Sequence, residues 1–159
     1  MSIALIPGSF DPVTNGHLDI VERTARKFDQ VLVAVAGNPR KGPPVFSVAE
    51  RVAMLEQATQ HLPSVSVHAF EGLLADFAVA RNVTAIVKGL RAVSDFDYEL
   101  QMAQLNLRLS GVDTLFMPTA PVHSFLSATL VREVASYGGD VSSMVPALVA
   151  QKLKERFTE

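Results

Sequence analysis

The hydrophobic and polar positions along the chain follow two alternating periods. Short apolar runs, typical of strands covered on both faces, are separated by stretches in which apolar residues recur every three or four positions, as on a helix with one buried face. The runs are Ser2 to Ile6, Val31 to Ala36, Val65 to Phe70, Ala85 to Val87 and Thr114 to Met117. Helical periods begin near Asn15, Ser47, Leu73, Ser94 and Ser127, and a last one runs from Pro146 to Phe157.

This alternation of strand and helix predicts an α/β fold. We expect a five-stranded parallel, doubly wound (Rossmann-like) sheet with helices on both faces and a C-terminal helix. A chain of 159 residues predicts one domain over residues 1–159. The helix beginning near Ser94 has two apolar stripes, Phe96-Leu100-Ala103-Leu107 and Met102-Leu105-Leu109, so its second face predicts a subunit contact or a ligand wall.

Composition narrows the function classes. A formal net charge of −2 excludes the global basic field that broad nucleic-acid binding uses. The absence of cysteine excludes disulfides, thiolate metal sites and a cysteine nucleophile. No signal peptide or membrane-spanning run is recognisable, so we expect a cytoplasmic protein with no membrane partner.

Groups that bind phosphate recur after the strands. Ser9 and His17 follow the first strand, Lys41 the second, Lys88 to Arg91 the fourth, and His123 to Thr129 the fifth. Each has an ordinary structural reading, since turn glycines, helix caps and exposed lysines are common. The carboxyl ends of parallel strands share one edge of a sheet, however, and ligands bind there. The convergence therefore indicates a polyanionic ligand.

Motif searches exclude several enzyme classes. The chain has no Gly-x-x-x-x-Gly-Lys-Ser/Thr phosphate loop, no Gly-x-Gly-x-x-Gly after the first strand and no Gly-x-Ser-x-Gly elbow. No compact His/Asp/Glu cluster suggests a permanent metal site. The function class that these exclusions leave is nucleotide or phosphate-ester chemistry without a covalent nucleophile.

Two segments resemble the signatures of the nucleotidyltransferase superfamily. The first is Gly8-Ser9-Phe10-Asp11-Pro12 with Thr14-Asn15-Gly16-His17, and the second is Ser127-Ala128-Thr129-Leu130-Val131-Arg132. Within that superfamily, Lys88-Gly89-Leu90-Arg91-Ala92-Val93-Ser94-Asp95-Phe96-Asp97-Tyr98-Glu99 resembles the bacterial phosphopantetheine adenylyltransferase family. The similarity runs from about Ile3 to the last helix. Two positions depart from the family pattern, because His123 stands where an aromatic residue is common and Ala128 replaces the middle serine.

The resemblance implies reversible adenylyl transfer from ATP to 4′-phosphopantetheine by direct in-line attack, giving dephospho-coenzyme A and pyrophosphate. It also implies Mg²⁺ brought with ATP, coenzyme A as an inhibitor, and a homohexamer built as a dimer of trimers. The catalytic residues it implies are His17, Lys41 and Arg91, and those for the acceptor are Ser9, Lys41, Leu74 and Lys88. Those it implies for ATP are Ser9, Phe10, His17, Gly89, Leu90, Arg91, Glu99, His123, Ser124, Phe125, Leu126, Ser127, Ala128 and Thr129.

Further expectations and alternatives accompany this interpretation. Leu73, Leu74, Met102 and Leu105 are candidates for an apolar slot along the pantetheine arm, and ordinary core packing explains each of them equally well. One alternative function is another enzyme of the superfamily, which adenylates nicotinamide mononucleotide or uses CTP. The other is a non-catalytic ATP-binding module resembling universal stress proteins.

Overall fold

Five parallel strands form one sheet in the computed structural model, which describes residues 1–37 and 42–158. The strands are β1 (Ile3–Gly8), β2 (Gln30–Ala36), β3 (Val65–Phe70), β4 (Ala85–Leu90) and β5 (Asp113–Pro118). Their order is β3-β2-β1-β4-β5, so the winding direction reverses between β1 and β4. In open α/β sheets ligands bind at such a reversal, outside the carboxyl ends of the strands. The predicted Rossmann-like sheet is confirmed.

Helices follow the strands as the periodicity predicts. They are α1 (Asn15–Ala25), α2 (Val48–Ala58), α3 (Leu74–Ala80), α4 (Val93–Ser110), α5 (Ala128–Ser136) and α6 (Ala147–Thr158). The spacing of Ser47 and Glu50 predicts a capping box at the start of α2, and the structure confirms it: Ser47 Oγ accepts from the Glu50 N–H, and Glu50 Oε1 accepts from the Ser47 N–H. Across the described residues, no helix combines the length and apolar character needed to cross a membrane.

The two faces of the sheet carry separate cores. Alternate residues of β1 point to opposite faces, so Ile6 belongs to the core formed with α1, α2, α5 and α6. Leu5 belongs to the smaller core with α3. Since helix α4 packs on α3 and β5, helices cover both faces. The three inner strands, β1, β2 and β4, are consequently buried, which explains their continuous apolar runs, whereas the edge strands β3 and β5 are partly exposed.

Several predicted boundaries were wrong. Strand β1 continues to Gly8, and β4 continues through Lys88 and Gly89 to Leu90, so these residues form strand ends rather than the turns after them. A Cβ on Gly89 would lie 3.0 Å from Cγ1 of Ile20, so this glycine makes room for helix α1. The end of helix α5 at Gly138-Gly139, which the sequence predicts from a C-cap glycine, is confirmed: Tyr137 is the C-cap, and Gly138 follows it with φ of 77°.

Each of the two apolar stripes of α4 is covered only in part, and Leu100 and Leu107 of the first stripe are exposed. Phe96 packs edge-on against Phe116 of β5, with ring centroids 5.6 Å apart. Leu105 and Leu109 are exposed. The helix therefore buries one side against the sheet and presents leucines on another.

Candidate active site

Three cavities open around the carboxyl ends of β1, β2 and β4. The largest, which we call the histidine cavity, has a volume of about 370 Å³. It lies at the reversal between β1 and β4, where sheet topology predicts a ligand. Its lining residues that the sequence also predicts as site residues are Phe10, His17, Lys88, Gly89, Arg91, Glu99, His123, Leu126, Ser127, Ala128 and Thr129.

His17 is held by the start of helix α1. Thr14 is the N-cap, and its Oγ1 accepts from the His17 backbone N–H at 3.2 Å. A reciprocal hydrogen bond involves the imidazole, whose Nδ1 accepts from the Thr14 N–H at 3.0 Å. The ring of Phe10 packs edge-on against it at 5.0 Å. Since Nδ1 is an acceptor, the neutral ring carries its proton on Nε2, which makes Nε2–H its donor.

The pKa of His17 lies well below its usual range. Burial, which disfavours the charged ring, is the larger cause, and the nearby Arg91 guanidinium adds repulsion; together they lower the pKa to about 4. At neutral pH the side chain is therefore an uncharged donor. It can hydrogen-bond a phosphate oxygen without acting as a cation.

Positive charge comes instead from Arg91 and from the start of α5. Arg91 donates from Nη1 to the Leu126 carbonyl at 2.7 Å and lies 3.6 Å from the Asp95 carboxylate. Ser127 is the N-cap of α5, and its Oγ accepts from the Leu130 N–H at 3.0 Å. Helix N-termini favour anions. The guanidinium and the helix start thus form two sides of one anion-binding wall.

The loop between β1 and α1 is a rigid scaffold. A Cβ on Gly8 would lie 3.0 Å from the Phe10 ring, so this glycine accommodates the phenylalanine, which is buried with φ of 50°. The Asp11 carboxylate accepts from the backbone N–H groups of Val45 and Phe46, at 3.0 and 2.9 Å. Asp11 is therefore a structural residue of the first signature.

Two arginines for which the sequence predicted no structural role hold the β1–α1 loop in place by hydrogen bonds. Arg51, of which only 4% is exposed, donates from Nη1 to the carbonyls of Ser9 at 2.7 Å and Ala36 at 3.2 Å. Arg132 donates to the Asp11 carbonyl at 2.7 Å. Both line a second cavity of about 310 Å³, the arginine cavity. In the sequence, Arg51 is marked only by its place in the first turn of α2, four residues after the N-cap Ser47.

The third cavity lies beneath helix α4 and is called the α4 cavity. It has a volume of about 210 Å³ and shares Pro7, Gly8, Lys88 and Glu99 with the histidine cavity. In this shared wall, Nζ of Lys88 lies 3.1 Å from Oε2 of Glu99. Its other lining residues are Ser9, Ala36, Phe70, Leu74, Ile86, Tyr98, Met102, Ala103, Asn106 and Thr114.

The predicted site residues divide accordingly. Ser9 lines the α4 and arginine cavities rather than the histidine cavity, and Leu74 lines the α4 cavity. Leu90, Ser124 and Phe125 line none of the three cavities. Phe125 is exposed, Ser124 donates its hydroxyl to Pro121, and the Leu90 carbonyl accepts from Thr119.

Two of the four residues expected in the apolar slot, Leu74 and Met102, line the α4 cavity. Met102 lines the α4 cavity, whereas Leu105 is exposed because the phase of helix α4 turns it outward, and Leu73 is exposed at the N-cap of α3. Asn106 lines it and was missed, although it follows Met102 and Ala103 at helical spacing. Lys41, predicted for catalysis and acceptor binding, lies outside the described residues.

No group of three or more His, Cys, Asp or Glu side chains suited to a metal ion occurs within residues 1–37 and 42–158. The donors at the histidine cavity are instead an imidazole, a guanidinium and backbone amides. Helix-start amides and guanidinium groups are donors that proteins use to bind phosphate.

Comparison with known proteins agrees with this geometry. The cytidylyltransferase-like family model matches residues 5–134. The chain is 56% identical over 157 residues, 98% of both chains, to a phosphopantetheine adenylyltransferase of Streptomyces coelicolor. It also resembles a solved structure described as a nicotinate-nucleotide adenylyltransferase of Vibrio parahaemolyticus, with a TM-score of 0.64 and 17% identity, covering 97% of this chain and 99% of the other. That second likeness concerns the fold alone.

Proposed function

This chain belongs to the phosphopantetheine adenylyltransferase family of cytidylyltransferase-like proteins, and we propose that it transfers an adenylyl group from ATP to 4′-phosphopantetheine. The products are dephospho-coenzyme A, an intermediate of coenzyme A biosynthesis, and pyrophosphate. ATP occupies the histidine cavity, and the acceptor occupies the α4 cavity with its phosphate towards Lys88.

The observation that carries this proposal is the shared wall of the two cavities. Lys88 and Glu99 line both, and their charged groups are 3.1 Å apart. Two ligands whose phosphates meet at this wall would be held next to each other. Holding both reactants in place converts a bimolecular step into one that is effectively unimolecular, which supplies much of the rate.

The reaction needs little acid or base chemistry. An oxygen of the acceptor phosphate, already an anion, attacks the α-phosphorus of ATP, and the bond from that phosphorus to the bridging oxygen of the β-phosphate breaks. Pyrophosphate leaves with the bonding pair, and no proton has to move first. Catalysis then consists of alignment and neutralisation of the charge on the phosphate oxygens.

His17 and the anion-binding wall, formed by Arg91 and the start of α5, stabilise charge on different phosphates of ATP. The uncharged His17 donates its Nε2–H to an oxygen of the α-phosphate, where charge builds up. Arg91 and the first backbone amides of α5 hold the β- and γ-phosphates. We propose that Mg²⁺ enters as part of the ATP substrate, as the family resemblance implies.

Pyrophosphate release tests the proposal. Purified protein is given Mg²⁺ and ATP with 4′-phosphopantetheine, nicotinamide mononucleotide or no acceptor, and CTP replaces ATP in a parallel set. We expect release only with ATP and 4′-phosphopantetheine. Release with another pair would identify a different superfamily enzyme, and ATP binding without release on any acceptor would favour a non-catalytic module.

Three further features are part of the proposal. We propose a homohexamer built as a dimer of trimers, as the family resemblance implies, and the exposed leucines of α4 and β5, including Leu105, Leu109 and Leu115, are candidates for its contacts. Light scattering after size exclusion should give the mass of six chains; a monomer would contradict it. Coenzyme A as an inhibitor, which the family resemblance implies, and a cytoplasmic location are proposed with it.

A further inference from the structure

Arg156, in the last turn of helix α6, makes three contacts with one short segment, residues 45–50. It donates from Nη1 to the Val45 carbonyl and from Nη2 to Oε2 of Glu50, the second bond at 2.6 Å. Its guanidinium also lies over the Phe46 ring, 5.0 Å from the ring centroid. One side chain therefore holds three neighbouring groups, although it lines none of the three cavities.

The core fixes the helix from which this side chain extends. Val149 and Leu153, seven and three positions before Arg156, are fully buried and lie on the same face of the helix. Both partners of the ion pair between Arg156 and Glu50 are more than a third exposed, and such pairs contribute little through their charge alone. The main effect of the three contacts is therefore the position that they impose on the segment.

The first signature binds the same segment. The Asp11 carboxylate accepts from the backbone N–H groups of Val45 and Phe46, at 3.0 and 2.9 Å. Val45 thus gives its N–H to Asp11 and its carbonyl to Arg156. The buried Phe46 gives its N–H to Asp11 and its ring to Arg156. Two residues consequently link the positions of Asp11 and Arg156.

Asp11 in turn connects the segment to the histidine cavity. Its carbonyl accepts from Arg132 of α5 at 2.7 Å, and the start of α5 lines both the histidine and the arginine cavity. The residue before it, Phe10, packs edge-on against His17 at 5.0 Å. A shift of the segment would therefore act on His17 and on α5 together.

We propose that Arg156 is a positioning residue for the reaction: it holds Val45 and Phe46 where their N–H groups fix Asp11, and so keeps His17 aligned without touching either substrate. This inference rests on the proposed function. A misplacement of about 1 Å at the reacting groups can lower a rate by about 10²-fold, even when its origin is remote. A contact in the last turn of α6 can therefore affect turnover.

Arg156→Ala tests this role in assays well below the thermal midpoint of each variant. We expect kcat to fall about tenfold, with both KM values within about twofold, because the groups that bind the substrates remain. Lys152→Ala is the matched control, since it removes an exposed pair with Glu155 on the same helix, and it should leave kcat unchanged. A purely structural role predicts a lower thermal midpoint with an unchanged kcat.

Two conservative variants separate position from charge. Arg156→Lys keeps a charge beside Glu50 but lacks the planar fork that serves several partners at once, so it should restore little of the lost kcat. Glu50→Gln keeps an acceptor for the capping box of α2 and removes the charge, so it should lower kcat less than Arg156→Ala does. Full activity in Arg156→Lys would mean that Arg156 supplies only charge and would overturn the inference.

A double-mutant cycle tests the connection through Asp11. If Arg156 acts through Asp11, the variant with both Arg156→Ala and Asp11→Ala should have the same kcat as Asp11→Ala alone, because contacting groups in one network are not additive. Losses of kcat that multiply would show that Arg156 acts independently of Asp11 and would contradict the inference.

Nuclear magnetic resonance of the His17 ring in the ligand-free protein separates this inference from the proposed function. The ring signals should shift in Arg156→Ala, because the Phe10 ring beside them moves, and stay in place in Lys152→Ala. If wild type releases no pyrophosphate, the proposed function is wrong, and this shift still measures the positioning. If wild type is active and Arg156→Ala matches it in kcat and in the His17 signals, only the inference is wrong. Should Arg156→Ala fail to fold, Arg156→Lys decides by the same two measurements.

Discussion

The histidine cavity and the α4 cavity share a wall but are built in different ways. The histidine cavity takes most of its donors from two short segments, the β1–α1 loop with the start of α1 and the start of α5, which are fixed by helix caps, by the buried Arg51 and by the partly exposed Arg132. The α4 cavity is assembled from the ends of three strands, from β4 and β5, and from α3 and α4, and its wall is largely apolar. The first is suited to stabilising developing charge, and the second to choosing an acceptor.

This difference predicts that damage to each cavity affects a different kinetic constant. Substitutions around His17 should lower kcat, because its contact with the α-phosphate strengthens as the reaction proceeds. Substitutions beneath α4 should raise the acceptor KM. Lys88 and Glu99 belong to both walls, so changes there should affect both constants.

The largest expected effect is that of His17→Ala. Loss of a donor to the α-phosphate should lower kcat about 10²-fold or more, with a much smaller change in ATP affinity. Single-turnover kinetics and ATP calorimetry measure the two quantities. His61→Ala is the control, because His61 lies on the surface beside Glu22 and away from the cavities. If His17→Ala lowered ATP affinity as much as kcat, the histidine cavity would not act mainly on the transition state, and the expected difference between the two cavities would be wrong.

A smaller effect is expected from Asp11→Ala, which tests whether the wall of the histidine cavity is held rigidly. The substitution leaves the N–H groups of Val45 and Phe46 without their carboxylate acceptor. The free energy of unfolding should fall by about 2 kcal/mol. Denaturant titration measures it, with exposed Asp97→Ala as the control. An unchanged stability would show that Asp11 acts mainly on ligands and that its structural assignment is wrong.

The smallest expected effect is the absence of a pH response near neutrality. Burial and Arg91 lower the pKa of His17 to about 4, so the ring stays neutral and kcat should show no step between pH 6 and 8 that depends on His17. The unfolded chain has a pKa near 6.5 for this residue. The stability that His17 contributes is therefore complete above about pH 6.5 and is lost as the pH falls towards 4.

Nuclear magnetic resonance of the His17 ring checks this directly. The titration midpoint should lie near pH 4 in wild type and move upward in Arg91→Ala, because one of the two lowering causes is removed. A midpoint near 6.5 in wild type would make His17 a cation during part of the working range and would contradict its assignment as a neutral donor.

The residues of the histidine cavity could be predicted from the sequence more fully than those of the α4 cavity, for a physical reason. His17, Thr14 and Ser127 act through neighbours three residues away, so their spacing alone carries the information. Membership of the α4 cavity depends on the rotation of a helix that is apolar on more than one side. Leu105 was therefore placed inward and Asn106 was overlooked.

The buried Arg51 shows a second limit. Its partners, the carbonyls of Ser9 and Ala36, are 42 and 15 positions away in the chain. Only the packing of α2 against the sheet brings them together, and an arginine in a helix is usually solvated. Strand ends posed a similar problem, because Lys88 and Gly89 interrupt the apolar pattern of β4 while the ladder with β5 continues to Leu90.

The most direct test of the two-cavity account is a crystal structure of the protein with 4′-phosphopantetheine and a non-hydrolysable ATP analogue. The account predicts the nucleotide beside His17, Arg91 and Ser127, and the acceptor phosphate at Lys88 with its arm along Met102 towards Asn106. An acceptor arm in the arginine cavity beside Arg51, or both ligands within the histidine cavity, would contradict it.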